Sequence, residues 1–378
     1  MRGNTSFIDP AAVEAWDAWF RWRRDGRIGD FSIDDTWTRV ARALASVEAL
    51  PGVFEKRLVD ACASWKLLLD ESLLTTAGTE QADWRDDGLV AVVNAAVFVR
   101  GRFATGARFD YAAFAETAAL AVRALDNAGM LAARRTSRGE SAIGVGIIGL
   151  ADALAFLRVR YGSALGRSIA RDIASELARA CLHESVRLAR ERGRCRVAPS
   201  ISTHLLESDV LGAELKADLD RHGSRHVRVT SITSQPRLAL LANNVADAID
   251  PLRGADQAYV VATRDTSRVV SSSGYAMTIS RDVANRHSGL HAWQTLAQIP
   301  VTEQIEMRAA IQPWIDVPIS YPLAVAQMPD ARDQRHAALL AAAYGLGAVI
   351  WNPPDHGWPV RECPAEGAPA IREKMPVD

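Results

Sequence analysis

Sulfur is the first place to look for chemistry in this chain. Its four cysteines, Cys62, Cys181, Cys195 and Cys363, stand far apart. None forms a C-x-x-C pair, and the spacings suggest neither a zinc site nor a disulfide framework. Cys181 falls on the apolar face of a long predicted helix, where a packed core thiol is expected. Cys195 sits among arginines in RGRCRV, which can lower a thiol pKa; the competing reading is an idle surface thiol. The histidines are no better arranged. His222 and His226 are four apart but straddle Gly223-Ser224, so a helical ligand pair is not expected. The spacing assigns no metal site and no catalytic residue.

Two further segments could do chemistry. Gly144-Val145-Gly146-Ile147-Ile148-Gly149 matches G-x-G-x-x-G, the pattern of a dinucleotide-binding turn. The preceding SRGESA does not read as a parallel strand, and no acidic residue follows at ribose distance. Close backbone packing where a loop meets a helix is the simpler expectation. The stretch Ser231 to Leu241 (SITSQPRLALL) reads as an apolar strand followed by Ser234, Gln235 and Arg237. Hydroxyls, amides and one guanidinium at a strand exit can hold an anion. The alternative is a plain turn with a solvated Arg237.

These groups need elements to position them. The first 80 or so residues read as helical. Trp16, Trp19 and Phe20 share one helix face; Ser32 or Asp34 caps a second helix; a third runs through Phe54, Leu58, Cys62 and Leu67. Leu89 to Val99 reads as a buried strand and Asp110 caps a helix. SAIGVGIIGLADALAFL enters a helix, and a long helix over Gly166 to Gly193 follows, ended by its glycine. His226–Leu241 reads as a strand and its exit. Val301–Trp314 and Ala331–Gly345 read as helices, with strands near Val317–Val325 and Ala348–Trp351. Strands alternating with helices predict an α/β fold with mainly parallel pairing.

Bulk properties narrow the field. Apolar residues make up 48% and charged residues 24%, as in ordinary soluble globular proteins. The net charge of −1 gives no basic field for nucleic acid. No apolar stretch approaches the ~20 residues of a membrane span, and MRGNTSFIDP lacks the hydrophobic core of a signal peptide. A cytoplasmic protein without nucleic-acid or membrane partners is expected.

Several segments, in order, resemble the large, catalytic subunit of ribonucleotide reductases, most closely the adenosylcobalamin-dependent class. IDDTWTRVARALASVE is similar to the family's helical N-terminal region, and ASWKLLLDESLLTTAGT to the lead-in to its first barrel strand. Val93-Asn94-Ala95-Ala96-Val97-Phe98-Val99 and FDYAAFAETAALAVRALDNA look like a mid-barrel strand and its helix, closed by Leu125-Asp126-Asn127. GVGIIGLADAL and the helix ending Glu191-Arg192-Gly193 resemble family signatures. VTSITSQPRLALLANNVADAIDP lies over the strand and loop that hold the substrate phosphate. QIEMRAAIQPWIDVPIS and LLAAAYGLGAVIW look like the last helix–strand units.

The resemblance implies a fold, namely a helical N-terminal region (1–80), a partial α/β barrel of roughly half the family's strands (81–358) and a frayed tail (359–378). It also implies a chemistry that this sequence lacks. The family abstracts a ribose hydrogen with a cysteine thiyl radical, and two further cysteines supply electrons. Here the matching strand carries Asn94-Ala95-Ala96. The family's Pro-Thr-Gly-Thr-Ile-Ser loop maps onto Ser234-Gln235-Pro236-Arg237-Leu238-Ala239, and Pro236 has no N–H to offer phosphate. Tyr321 stands for a lysine and Ala324 for an asparagine, and no dithiol tail is seen. A pseudoenzyme is therefore expected, short for its family and unable to reduce ribonucleotides alone. It would act as a homo-oligomer or beside a full-length reductase subunit in deoxyribonucleotide biosynthesis. The alternative is a repurposed nucleotide binder or enzyme using Ser234, Gln235 and Arg237 in the altered loop 234–239. Adenosylcobalamin is the cofactor the family would imply, and its binding here is left open.

Overall fold

The structure, a computed structural model, describes residues 5–24, 27–82, 84, 88–133, 142–254, 257–263, 266–284, 294–352 and 359–360. Cys363, His287, His291 and His356 lie outside the described residues, as does the tail beyond 360.

The architecture is mixed α/β, mostly helical with small sheets. Its centre is one line of strands. The third helix stops at Ala63, short of Leu67, and Leu67–Leu69 is instead a strand; it pairs antiparallel with Leu89–Asn94, which pairs parallel with Ile143–Ile148 in the register Leu89↔Ile143 to Asn94↔Ile148. A parallel bridge, Val145↔Thr230, adds the segment 229–231 beyond it. The helices Tyr111–Ala133 and Ala164–Arg192 make the connections between these parallel segments. The chain thus repeats a strand–helix unit, as parallel pairing requires. A second parallel pair joins Leu323–Ala324 to Trp351–Asn352, and Pro359–Val360 pairs parallel with Val260–Val261. Among the described residues no sheet exceeds three strands and none closes into a barrel.

One core runs from Ala11 to Tyr321, joining the N-terminal helices to the strand line. Ser32 caps the helix Ile33–Ala45 in a reciprocal box with Asp35, the arrangement that satisfies two orphan N–H groups at once. Ser163 caps Ala164–Arg192, and Gly193 ends it at φ 89°.

Four expectations need correction. First, the G-x-G-x-x-G stretch is no helix entry; Ile143–Ile148 is itself a wholly buried parallel strand. Its glycines admit the next segment. A Cβ on Gly146 would stand 2.6 Å from the Ser231 carbonyl oxygen, and one on Gly144 would stand 2.9 Å from Ser231 Cβ. Gly149 then turns the chain at φ 70° into the helix Leu150–Phe156. Second, His226–Leu241 is not a strand. Only Thr230 bridges, and Pro236–Leu241 is a helix. Proline at its first position has the φ that a helix start needs. Third, the strand predicted to reach Val99 stops at Asn94, whose side chain accepts the Ala96 N–H and caps a 3₁₀ turn over Ala95–Phe98. Fourth, pairing is not mainly parallel. Antiparallel ladders join Gln257–Ala262 to Ser267–Ser272 and Val99–Arg100 to Arg108–Phe109.

Candidate functional site

Where the strand Ile143–Ile148 ends, the Gly149 N–H donates to the Ala246 carbonyl at 2.7 Å, and so brings the segment 244–250 to the strand end. Three buried carboxylates hold that segment in place. Asp152 accepts the N–H of Ala246 at 2.7 Å and of Ala276 at 2.9 Å. Burial pushes its carboxyl up to about 6, against the pull of those N–H groups. Asp250 accepts the Tyr321 hydroxyl at 3.0 Å, with Arg308 at 3.9 Å. Burial pushes it up to about 7, opposed mainly by Arg308. Tyr161 closes the far side by donating to the Ile249 carbonyl at 2.8 Å.

Asp247 faces the loop that was read as an anion holder. Ser234 Oγ donates to one of its oxygens at 2.5 Å and the Gln235 N–H to the other at 2.7 Å. Burial raises its pKa, and these two donors oppose the rise. Arg237 joins neither. Its Nη1 donates to Glu71 Oε2 at 3.2 Å, and its guanidinium lies 5.0 Å from the Trp19 ring. Arg237 Nη2 is buried without a hydrogen-bond partner. The structure therefore brings Ser234 and Gln235 together on one carboxylate and places Arg237 in a different contact. A cleft beside them, partly open to solvent, is lined by Pro236, Asn244, Asp247, Arg253, Tyr259 and Met277, and its volume is about 20 Å³. That is room for about one water molecule.

Asp247, Asp152, Asp250 and Glu71 were missed from the sequence. The signal that could have found three of them is acid inside an apolar stretch, as with Asp152 in Leu150-Ala151-Asp152-Ala153-Leu154 and in Val245-Ala246-Asp247-Ala248-Ile249-Asp250.

The cysteines lie elsewhere. Cys62 is buried on the helix Pro51–Ala63 and Cys181 on Ala164–Arg192. Burial pushes the Cys62 thiol up to about 12 and the Cys181 thiol well above its usual range. Cys195 is half-buried and donates to the Val197 carbonyl. At the end of Leu89–Asn94 stand Asn94, Ala95 and Ala96, all buried. Among the described residues no cysteine stands at that strand end, so the residues present there do not fit a thiol chemistry of the kind adenosylcobalamin would serve.

A serine, a histidine and an aspartate do line up elsewhere. Ser185 Oγ lies 2.9 Å from His226 Nδ1, and His226 Nε2 lies 3.3 Å from Asp126 Oδ1. Ser185 and His226 have no exposed surface, and Asp126 also takes Arg225 at 2.8 Å and Arg192 at 2.5 Å. Burial raises the Asp126 pKa, but His226 and Arg225 outweigh it and hold the carboxyl below its usual range. Burial keeps the His226 pKa low, against Asp126. With no access to substrate, this is a structural clamp. Arg192 extends it to Asn127 and Glu48, so the Leu125-Asp126-Asn127 and Glu191-Arg192-Gly193 segments meet in one ion network.

Strand–helix units in series, with small sheets between the helices, make this a mixed α/β protein. A family model, ribonucleotide reductase, barrel domain, matches residues 79–351. The chain belongs to that family. None of the curated proteins searched matches it. No helix among the described residues is long and apolar enough to cross a membrane.

Proposed function

We propose that this chain is a non-catalytic member of its family that does not reduce ribonucleotides by itself. It acts in the cytoplasm as an interaction or regulatory element of deoxyribonucleotide biosynthesis, as a homo-oligomer or on a full-length reductase subunit. The observation that carries this reading is the state of the strand-end loop. The Ser234 and Gln235 donors are spent on Asp247, and the cleft beside them has the space of about one water molecule. The cysteines add support. Hydrogen abstraction from ribose needs an S–H bond close in strength to the ribose C–H bond, and Cys62 and Cys181 are core residues of helices. A barrel of about half the family's strands would leave open edges, which proteins usually cover or pair. Among the described residues the parallel pair Leu323–Ala324 with Trp351–Asn352 has no third strand beside it. Native mass spectrometry of the purified chain, alone and mixed with a full-length reductase subunit, tests the proposal. A dimer or a defined complex is expected; a monomer in both samples would count against it.

A second reading is favoured by Arg237, whose Nη2 is buried without a hydrogen-bond partner. A repurposed nucleotide binder would use that donor. Calorimetry with nucleoside phosphates would then show binding that Arg237→Ala weakens by ~1–3 kcal/mol. No heat with any of them removes this reading.

A further inference from the structure

A larger opening lies away from that loop. The segment 296–304 and the segment 325–337 bound a groove of about 640 Å³, a size that takes a small organic ligand. Leu296, Ile299 and Val325 give it apolar walls, and Gln304, Asp330 and Asp333 give it polar ones. Gln304 is 2% exposed. Its Nε2 donates to the Ala324 carbonyl at 3.0 Å, which fixes the orientation of the amide. The other amide atom, Oε1, is then an acceptor, and it is buried with no hydrogen-bond partner. A buried acceptor of this kind is normally satisfied, so this oxygen is short of a donor.

The charged groups say what sort of donor. Asp330 caps the helix Ala331–Ala343; its Oδ1 accepts the N–H of Arg332 at 2.9 Å and of Asp333 at 2.8 Å. Asp333 is exposed on the first turn of that helix. No lysine or arginine stands among the described residues lining the groove; His336 does line it, exposed on the same helix, while Arg332 and Arg335 are outside the lining. Two carboxylates and an unsatisfied amide oxygen, set among apolar side chains, complement a cation with several N–H donors and a methylene body.

We propose that this groove binds an aliphatic diamine. One ammonium donates to Gln304 Oε1, the methylene chain lies along Leu296, Ile299 and Val325, and the second ammonium faces Asp330 and Asp333. The site is independent of the strand-end loop and of the non-catalytic reading, and it involves no covalent step.

Calorimetry on the full chain with cadaverine tests it, with pentanediol as an uncharged ligand of matching length. Cadaverine is expected to bind at one site and pentanediol to give no heat. Gln304→Leu and Asp333→Asn are each expected to weaken cadaverine about tenfold, the loss of one good polar contact. Asp333 is exposed, so its variant should fold even if Gln304→Leu does not. Three results would overturn the proposal: no binding of cadaverine, equal binding of pentanediol, or affinity unchanged by Asp333→Asn.

Discussion

The Gln235 N–H points at the Asp247 carboxylate, 2.7 Å away, while Ser234 Oγ holds the other oxygen. An internal anion thus takes the two donors with which this loop would meet an external one. Pro236 follows directly and has no N–H to add.

Removing that carboxylate strands both donors. Asp247→Ala is expected to lower stability by about 1–3 kcal/mol, the cost of leaving buried polar groups unpaired. Urea unfolding of the variant beside the parent chain measures it; an unchanged midpoint would mean that the pair contributes nothing.

Asp250 should give stability a pH dependence of definite sign. Burial holds its carboxyl near 7 in the folded chain, above the ~3.9 of an unfolded aspartate. The folded state therefore keeps a proton that the unfolded state releases. Its contribution is full below about 4 and is lost as pH rises through about 7, by up to about 1.4 kcal/mol per pH unit. Asp250→Asn cannot titrate, so its unfolding midpoint should fall less than the parent's across that window. Parallel pH profiles would contradict the assignment.

Arg192 joins Asp126, Asn127 and Glu48. Arg192→Ala leaves buried acids short of a partner, and a loss of about 3 kcal/mol is expected, the lower end for breaking a buried ion pair. Arg225 and Arg123 remain to share the charge, which keeps the loss from being larger. Thermal and urea unfolding should agree on it, and a loss below about 1 kcal/mol would dismiss the clamp as decoration.

The two central glycines have a steric job. Gly146→Ala would force a Cβ against the Ser231 carbonyl, with an expected loss of about 1–3 kcal/mol for overpacking. Gly52→Ala is the contrast. It lies in the helix Pro51–Ala63 with nothing within 4 Å, and a gain of up to about 1 kcal/mol is expected. Similar midpoints for the two variants would rule out close approach at Gly146.

Local rules carried much of the fold. The capping at Ser32, the helix ended by Gly193 and the helices after Pro300 and Asp330 follow from residues a turn apart. Elements decided by distant neighbours were misread. Ile143–Ile148 reads as the entry to a helix, yet it is a strand whose glycines leave room for the close approach of Ser231. At the site, Ser234, Gln235 and Arg237 stood out by type. Their partners, Asp247 and Glu71, are set by how the chain folds back, and nothing in the loop's own residues names them.

The account rests on the absence of ribonucleotide reduction, and that is directly measurable. The purified chain is incubated anaerobically with ribonucleotides, adenosylcobalamin and a dithiol, and deoxyribonucleotides are sought by mass spectrometry. None above the protein-free control is expected. Deoxyribonucleotide formed in proportion to the protein, and abolished by replacing one of Cys62, Cys181, Cys195 or Cys363, would contradict it.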